Sequence, residues 1–320
     1  MDLMMDIMGK PLWMWLAFGG VVIFLLALDL GVLHRNSKEM TVRESLWMSG
    51  FYIAIAAAFG GWVWHTLGAE SGKQYFTGYL VEKTLSIDNI FVMSLIFAYF
   101  AIPQQYQYRV LFWGILGVIV MRGVMIALGA SIVAEFHWVL YIFAVFLVYT
   151  GVKMLFSVDE EMDVASNPIL NLLRRCIKIS PNLHGNKFLA KEVDLETGKK
   201  VTIATPLLVA LLMIEFVDLI FAVDSIPAIF AITTDPYLVY TSNIFAILGL
   251  RALYFALAAV IDRFHYLQHA MAIVLVFIGS KIFICDLMDW DKFPASASLG
   301  ITLGILTAGI ALSLYKTRKI

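Results

Sequence analysis

Two acidic phrases of the same form lie inside apolar stretches of this chain. They read Glu82-Lys-Thr-Leu-Ser-Ile-Asp88-Asn89-Ile90 and Asp218-Leu-Ile-Phe-Ala-Val-Asp224-Ser225-Ile226. Each has a carboxylate, five further residues, an aspartate, a small polar residue and an isoleucine. An ionised carboxylate inside a bilayer costs ~2.5–3.5 kcal/mol. A repeated set therefore predicts a bound cation or proton, as in a transporter.

The predicted ligands for such a cation are all oxygen donors. They are Asp88, Asn89, Asp224 and Ser225, with Glu82, Glu215 and Asp218 adjacent. Oxygen ligands suit Mg²⁺, Ca²⁺ or Mn²⁺ better than Cu⁺ or Zn²⁺, which prefer Cys, Met or His. The pair Asp88 and Asp224 would neutralise a divalent charge. We expect no catalytic residues and no prosthetic group, with the metal ion as cargo.

The spacing of the carboxylates constrains the two helices that carry them. Residues six apart in an ideal helix lie about 120° from each other around the axis, whereas Glu215 and Asp218, three apart, share a face. For all of them to reach one cation, we expect the helices to bend or unwind. The predicted breaks lie near 86–89 and near 224–227, where Pro227 removes a helical hydrogen bond.

Composition indicates an all-α polytopic membrane protein. The chain is 61% hydrophobic and 15% charged, with a mean hydropathy of +0.84. Its net charge of −1 favours no nucleic-acid partner, and its two cysteines suggest no redox or soft-metal site. Apolar runs of spanning length predict about nine helices. They are 11–33, 45–66, 75–100, 109–133, 138–156, 204–232, 238–261, 267–287 and 295–315.

Basic residues predict how the chain is oriented in the bilayer. Of the 23 Lys and Arg residues, fifteen fall in the connections on one side, three fall on the other, and five lie within the spans. The smaller set is Lys10, Lys73 and Lys292. Because cytoplasmic loops are rich in Lys and Arg, we expect a bacterial inner-membrane protein with its N-terminus outside and its C-terminus in the cytoplasm.

The repeat extends beyond the acidic phrases. Its further landmarks are Ile115-Leu-Gly117 with Arg122 against Ile247-Leu-Gly249 with Arg251, and Gly151-Val-Lys153 against Gly279-Ser-Lys281. Predicted helices 3–5 thus match helices 6–8, and because three is odd the second copy enters the membrane the opposite way round. The sequence predicts an inverted repeat of two three-helix units, with the site at their interface.

This repeat divides the chain into five parts. They are a two-helix segment (1–70), repeat 1 (71–156), a cytoplasmic loop (157–203), repeat 2 (204–287) and a C-terminal helix 9 (288–320). Within the loop, 169–179 alternates apolar and basic residues and suits a helix on the membrane surface. Two short strands flanking Thr197-Gly198 predict a hairpin.

Other interpretations of the buried polar residues stay open. The carboxylates could form structural ion pairs with Arg122, Arg251, Lys83 or Lys281, or the two arginines could hold the empty carboxylates and release them to a cation. Asp29 is as consistent with an interfacial position as with a functional one. Asn243 could be a cap or a polar contact between helices.

At these residues the chain resembles the TerC family of integral membrane proteins. The strings that carry the resemblance are Gly78 to Val92, Glu215 to Ala228, Thr234-Asp-Pro-Tyr, Thr241 to Arg251 and Gly279-Ser-Lys281. The resemblance implies a cation efflux protein, with Mn²⁺ the substrate most associated with some members. It also implies that the functional acids are Glu82, Asp88, Glu215, Asp218 and Asp224.

The favoured interpretation is an exporter of divalent metal cations, and the resemblance favours Mn²⁺ as the ion. Because no nucleotide-binding loop is present, we expect a secondary transporter. Its expected partners are the lipid bilayer, the divalent cation and protons as a candidate counter-ion. A Ca²⁺ or general divalent cation/proton exchanger is the nearest alternative. A membrane scaffold that assists protein insertion or the metalation of exported proteins is the alternative from another class.

Overall fold

The computed structural model describes residues 4–31, 41–156, 168–193, 200–257, 265–288, 290 and 293–317. The helices, in chain order, are α1 Leu12–Gly31, α2 Val42–Leu67, α3 Ala69–Tyr99, α4 Gln104–Glu135, α5 Val139–Phe156, α6 Pro168–Cys176, α7 Pro206–Phe230, α8 Pro236–Leu248, α9 Leu250–Leu257, α10 His265–Leu287 and α11 Ala295–Thr317. The strands are β1 Asp6–Ile7, β2 Lys10–Pro11, β3 Leu189–Val193 and β4 Lys200–Ala204.

Local sequence explains where several of these helices begin. Thr41 precedes α2 and forms a reciprocal cap, in which its hydroxyl accepts from the Glu44 backbone while the Glu44 carboxylate accepts from the Thr41 backbone. Asp235 caps α8 by accepting from the backbone N–H of Tyr237 at 3.0 Å, ahead of a proline in the first turn. These caps satisfy amide groups that have no partner within the helix.

The helices are those of a multi-pass membrane protein. Within the described ranges, seven helices are long and apolar enough to cross a bilayer, and α8 with α9 makes an eighth if the bent pair is one span. α3 is 31 residues long but is missing from that set, because it carries the charges of Glu82, Lys83 and Asp88. The fold class is confirmed, whereas the count of nine spans stays a prediction.

The break in the membrane helices lies elsewhere than predicted. α3 runs unbroken through 86–89, and α7 runs through Pro227 to Phe230, so neither helix unwinds at its predicted break. The predicted span 238–261 instead bends by 40° between α8 and α9 at Gly249. A Cβ at Gly249 would lie 3.0 Å from the Lys83 Nζ, so this bend brings the backbone close to α3.

Helices α5 and α10 cross in close contact at two glycines. A Cβ at Gly151 would lie 2.7 Å from the carbonyl oxygen of Ala272, and one at Gly279 would lie 2.7 Å from that of Ala144. Each helix therefore offers one glycine and, seven residues before it, the carbonyl that the glycine of the other helix contacts. Such reciprocal contacts are what an internal repeat predicts, and small residues commonly permit this approach between membrane helices.

The predicted connector is described only in part. Helix α6, Pro168–Cys176, overlaps the expected 169–179 segment and places Arg174 and Arg175 in its last turn. β3 pairs with β4 antiparallel, with Leu189 opposite Ala204, so the predicted hairpin is confirmed in its strands. Its turn at Thr197-Gly198 lies outside the described residues.

Candidate functional site

A fully buried arginine from α4 lies between the two acidic phrases. Arg122 donates from Nε to Asp218 Oδ2 at 3.1 Å and from Nη2 to Asp218 Oδ1 at 3.0 Å. Its Nη1 bonds the Glu82 carboxylate and donates to Asn243 Oδ1 at 2.9 Å and Ser225 Oγ at 3.2 Å. A two-pronged contact of this kind combines charge with fixed geometry, so Arg122 joins α3, α7 and α8.

Each carboxylate in this cluster also accepts a hydrogen bond from an amide side chain. Asn243 Nδ2 donates to Glu82 Oε2 at 3.0 Å, and Asn89 Nδ2 donates to Asp218 Oδ1 at 3.0 Å. The first carboxylates of the two phrases are therefore held alike, by one guanidinium and one amide each. A buried ion pair is tolerated when its remaining hydrogen-bonding capacity is met in this way.

A small cavity of about 70 Å³ lies beside this cluster and contains the second aspartate of the first phrase. Asp88 lines it together with Asn89, Thr150 and Ser225. Among the described residues, the Asp88 carboxylate accepts only a long hydrogen bond, 3.5 Å from Gln268 Nε2. Asn89 Oδ1 is buried and accepts no hydrogen bond in the described part of the chain. The cavity is large enough for an ion with a few waters.

The seven predicted site residues divide among three places. Glu82, Asn89, Asp218 and Ser225 surround Arg122, whereas Asp88 lies on the small cavity that Glu82, Asn89 and Ser225 also line. Glu215 lies one turn before Asp218 on α7, and its carboxylate packs against Gly117 of α4. Asp224 lies in α7, but its side chain is outside the described part.

The acids of the described region are not arranged as a ready-made metal cage. Among the described residues, no group of three or more Asp, Glu, His or Cys side chains is placed to hold a metal ion. Arg122 occupies the space between Glu82 and Asp218, which matches the open interpretation that an arginine holds the empty carboxylates. A cation would therefore have to bind at Asp88 with neutral oxygen ligands, or displace the arginine.

The other charged candidates lie away from this cluster. Arg251 pairs with Asp29 of α1 and stacks on Tyr108, with its guanidinium carbon 4.1 Å from the ring centroid. Asp29 is 4% exposed, so it is buried within the protein. Lys83 donates to the carbonyl of Ala246 at 3.0 Å. The predicted equivalence of Arg122 and Arg251 therefore fails in their contacts.

Three residues of the site were not among the predicted ligands. Asn243 bridges Arg122 and Glu82. Thr150 lines the Asp88 cavity, and Gln268 contacts the Asp88 carboxylate itself. A fully buried asparagine in an apolar helix signals a specific partner, and Asn243 was noted in the sequence only as a cap or an interhelical contact. No comparable signal marks Gln268, which lies near the start of α10.

Comparison with known proteins identifies the family. A family model described as "Integral membrane protein TerC family" matches residues 67–320 of the chain. The chain belongs to the TerC family. The matched part includes α3 to α11, so it contains both acidic phrases, Arg122 and the Asp88 cavity. No solved structure matches the chain significantly.

Curated TerC relatives extend the similarity over almost the whole chain. "Uncharacterized membrane protein STKORF319" of Myxococcus xanthus is 47% identical over 310 residues, which cover 97% of this chain and 94% of the relative. A membrane protein of Rickettsia bellii is 46% identical over 302 residues, covering 94% and 97%. "Putative membrane-bound redox modulator Alx" of Salmonella typhi is 39% identical over 320 residues, covering 97% and 96%.

Proposed function

We propose that this TerC family protein is a secondary transporter that exports a divalent metal cation, with Mn²⁺ the favoured ion. The observation that carries the proposal is the pairing of the Asp88 carboxylate with the free Asn89 carbonyl oxygen on one small cavity. A buried amide oxygen without a donor costs about 1–3 kcal/mol. A hard cation bound there would offset that cost and accept the oxygen ligands that Mn²⁺, Mg²⁺ and Ca²⁺ prefer.

The charge of the described cluster also supports a divalent ion. When ionised, Glu82, Asp88 and Asp218 carry three negative charges, and Arg122 carries one positive charge. Two negative charges remain, as a divalent cation requires. The hydroxyls of Thr150 and Ser225 supply neutral oxygens on the same cavity.

Arg122 supplies a means of coupling the cation to movement. It binds Glu82 from the predicted first repeat and Asp218 from the predicted second. In this proposal an entering cation competes with the guanidinium for these carboxylates, weakens the contact and lets the two repeats move against each other. When the cation leaves on the opposite side of the membrane, the Arg122 guanidinium binds the two carboxylates again.

Energetics favour a proton counter-flow. Moving two positive charges outward against ~80 mV, negative inside, costs about 4 kcal/mol. Exchange for entering protons would supply that work. In this proposal the chain lies in the bacterial inner membrane with its N-terminus outside, and it is a transporter rather than an enzyme.

The test is Mn²⁺ transport by purified protein in liposomes, with Ca²⁺ and Mg²⁺ as competitors. We expect Asp88→Asn to lower the initial rate at least ~10-fold, because losing one carboxylate charge from a site of low dielectric exceeds about 1.4 kcal/mol. The control is Glu135→Gln, which removes an exposed carboxylate at the end of α4. It is expected to transport as the native protein does.

Each result of this experiment separates the alternatives. Preferential inhibition by Ca²⁺ would favour the general divalent exchanger over the Mn²⁺ exporter. An Asp88→Asn protein that inserts normally and transports at the native rate would exclude the cavity as the ion path. If the native protein moved no cation in liposomes of either pH gradient, the scaffold interpretation would replace transport.

A further inference from the structure

A second and larger cavity opens at the end of the bundle that carries β1 and β2. Its volume is about 1030 Å³, and its walls come from α3, α4, α5, α7, α8, α10 and α11 and the loops beside them. It is separate from the Asp88 cavity, with which it shares no lining residue. Both acidic and basic side chains line it, so the kind of ion it could bind depends on which of these side chains already have partners.

Lys281 of α10 is a buried cation on this cavity. It is 5% exposed and lines the cavity one helical turn from Cys285. Its Nζ makes no hydrogen bond or ion pair with any residue in the described ranges, although the sequence made it a candidate partner for an acid. An ammonium group withdrawn from water without a partner costs several kcal/mol.

The carboxylates at the same cavity are engaged elsewhere. Asp235 pairs with Lys10 at 2.8 Å, and Asp286 accepts from the Tyr141 hydroxyl at 2.7 Å. Glu70 accepts a hydrogen bond from Gln74 Nε2 at 3.3 Å. The acids of this cavity therefore already have donors, while the buried amine has no acceptor among the described residues.

A second unpartnered polar group lies at the height of this amine. Ser298 of α11 is 3% exposed, lines the same cavity, and its Oγ has no partner in the described part of the chain. The backbone N–H of Tyr266 donates to Ser313 Oγ at 3.1 Å, which aligns α10 with α11. Lys281 follows Tyr266 by fifteen residues, and Ser298 precedes Ser313 by fifteen. Equal rises along antiparallel helices bring both to one level.

We propose that Lys281 and Ser298 form a binding site for a small inorganic anion at this end of the bundle. The ammonium supplies the charge and up to three donors, and the serine hydroxyl supplies a further donor. The anion would give a partner to the buried Ser298 hydroxyl and to the ammonium of Lys281 on the same cavity. This site does not depend on the proposed cation transport, because it uses neither the Asp88 cavity nor the Arg122 cluster.

The test is thermal unfolding of the full-length protein in detergent, without Mn²⁺, during titration with sodium chloride and, separately, sodium phosphate. We expect at least one salt to raise the melting temperature of the native protein to a plateau. Lys281→Met should lose that increment, and Ser298→Ala should shift its midpoint to at least ~3-fold higher concentration. The matched control is Lys153→Met, which removes the exposed lysine at the corresponding position of the other predicted repeat.

The comparison between variants removes general effects of ionic strength, since every variant meets the same salt. A response to chloride alone would indicate a halide-sized site, and a response to phosphate alone would indicate an oxyanion site. Equal responses of the native protein and Lys281→Met to both salts would overturn the proposal. If Lys281→Met did not fold, a native midpoint in Ser298→Ala would overturn it instead.

Discussion

Replacement of Arg122 should be among the most damaging single changes in the bundle. Arg122→Gln removes the guanidinium that bonds Glu82 and grips both oxygens of Asp218. The two carboxylates would then be buried near each other without a cation. Breaking a buried ion pair by removing one partner costs about 3–5 kcal/mol, because the remaining charge is uncompensated. At ~2 °C per kcal/mol, the melting temperature should fall by about 6–10 °C.

The assay is thermal unfolding in detergent, followed by loss of the monodisperse protein peak. A triple variant that also carries Glu82→Gln and Asp218→Asn should regain most of the loss, because no unpaired charge remains. Arg175→Gln, at an exposed arginine of α6, controls for the loss of a basic residue. If Arg122→Gln melted within about 1–2 °C of the native protein, or the triple variant melted lower still, the reasoning from an uncompensated charge would be refuted.

Two further changes test neighbouring contacts by the same melting assay. Gly117→Ala should lower the free energy of unfolding by ~1 kcal/mol, because the new methyl group displaces the Glu215 carboxylate. Adding Glu215→Ala should remove this loss. The control Gly304→Ala, where a Cβ meets no atom within 4 Å, should not change the melting temperature. Arg251→Gln should lower the melting temperature by several degrees, because it removes the buried ion pair with Asp29. Asp29→Asn in the same chain should restore most of the loss, and a double variant no better than the single one would contradict this.

Much of the architecture could be predicted from the sequence because it depends on length and hydropathy. Apolar runs located the ends of the long helices to within about six residues, and the alternation of apolar and basic residues located α6. The Thr-Gly pair between two β-prone runs located β3 and β4. The bend at Gly249 could not be predicted in the same way, since Gly249 lies against Lys83 and Tyr52, and the positions of those other helices are not written in the local sequence.

The predicted helix breaks failed for a reason that concerns the site. The argument assumed that Glu82 and Asp88 must reach one point, which an unbroken helix forbids. In the structure they serve different partners: Glu82 bonds Arg122, whereas Asp88 faces the small cavity and Gln268. An intact α3 is therefore compatible with both. Spacing on one helix shows where side chains point, but the partners on other helices decide what they meet.

The two predicted repeats agree in their glycines and differ in their arginines. Gly151 and Gly279 make reciprocal contacts with carbonyls of the opposite helix, as related copies should. Arg122 follows its glycine landmark by five residues, whereas Arg251 follows its own by two, and this offset sends Arg251 to Asp29 instead of to the central acids.

One arginine therefore serves a carboxylate from each predicted repeat. Two arginines at equivalent positions would neutralise Glu82 and Asp218 separately and leave each repeat self-sufficient. Both acids share the positive charge of the single Arg122 guanidinium, so a change at one carboxylate alters the hydrogen bonds and electrostatic stabilisation of the other. In the proposed transport cycle, this departure from symmetry would let one bound ion act on both predicted repeats.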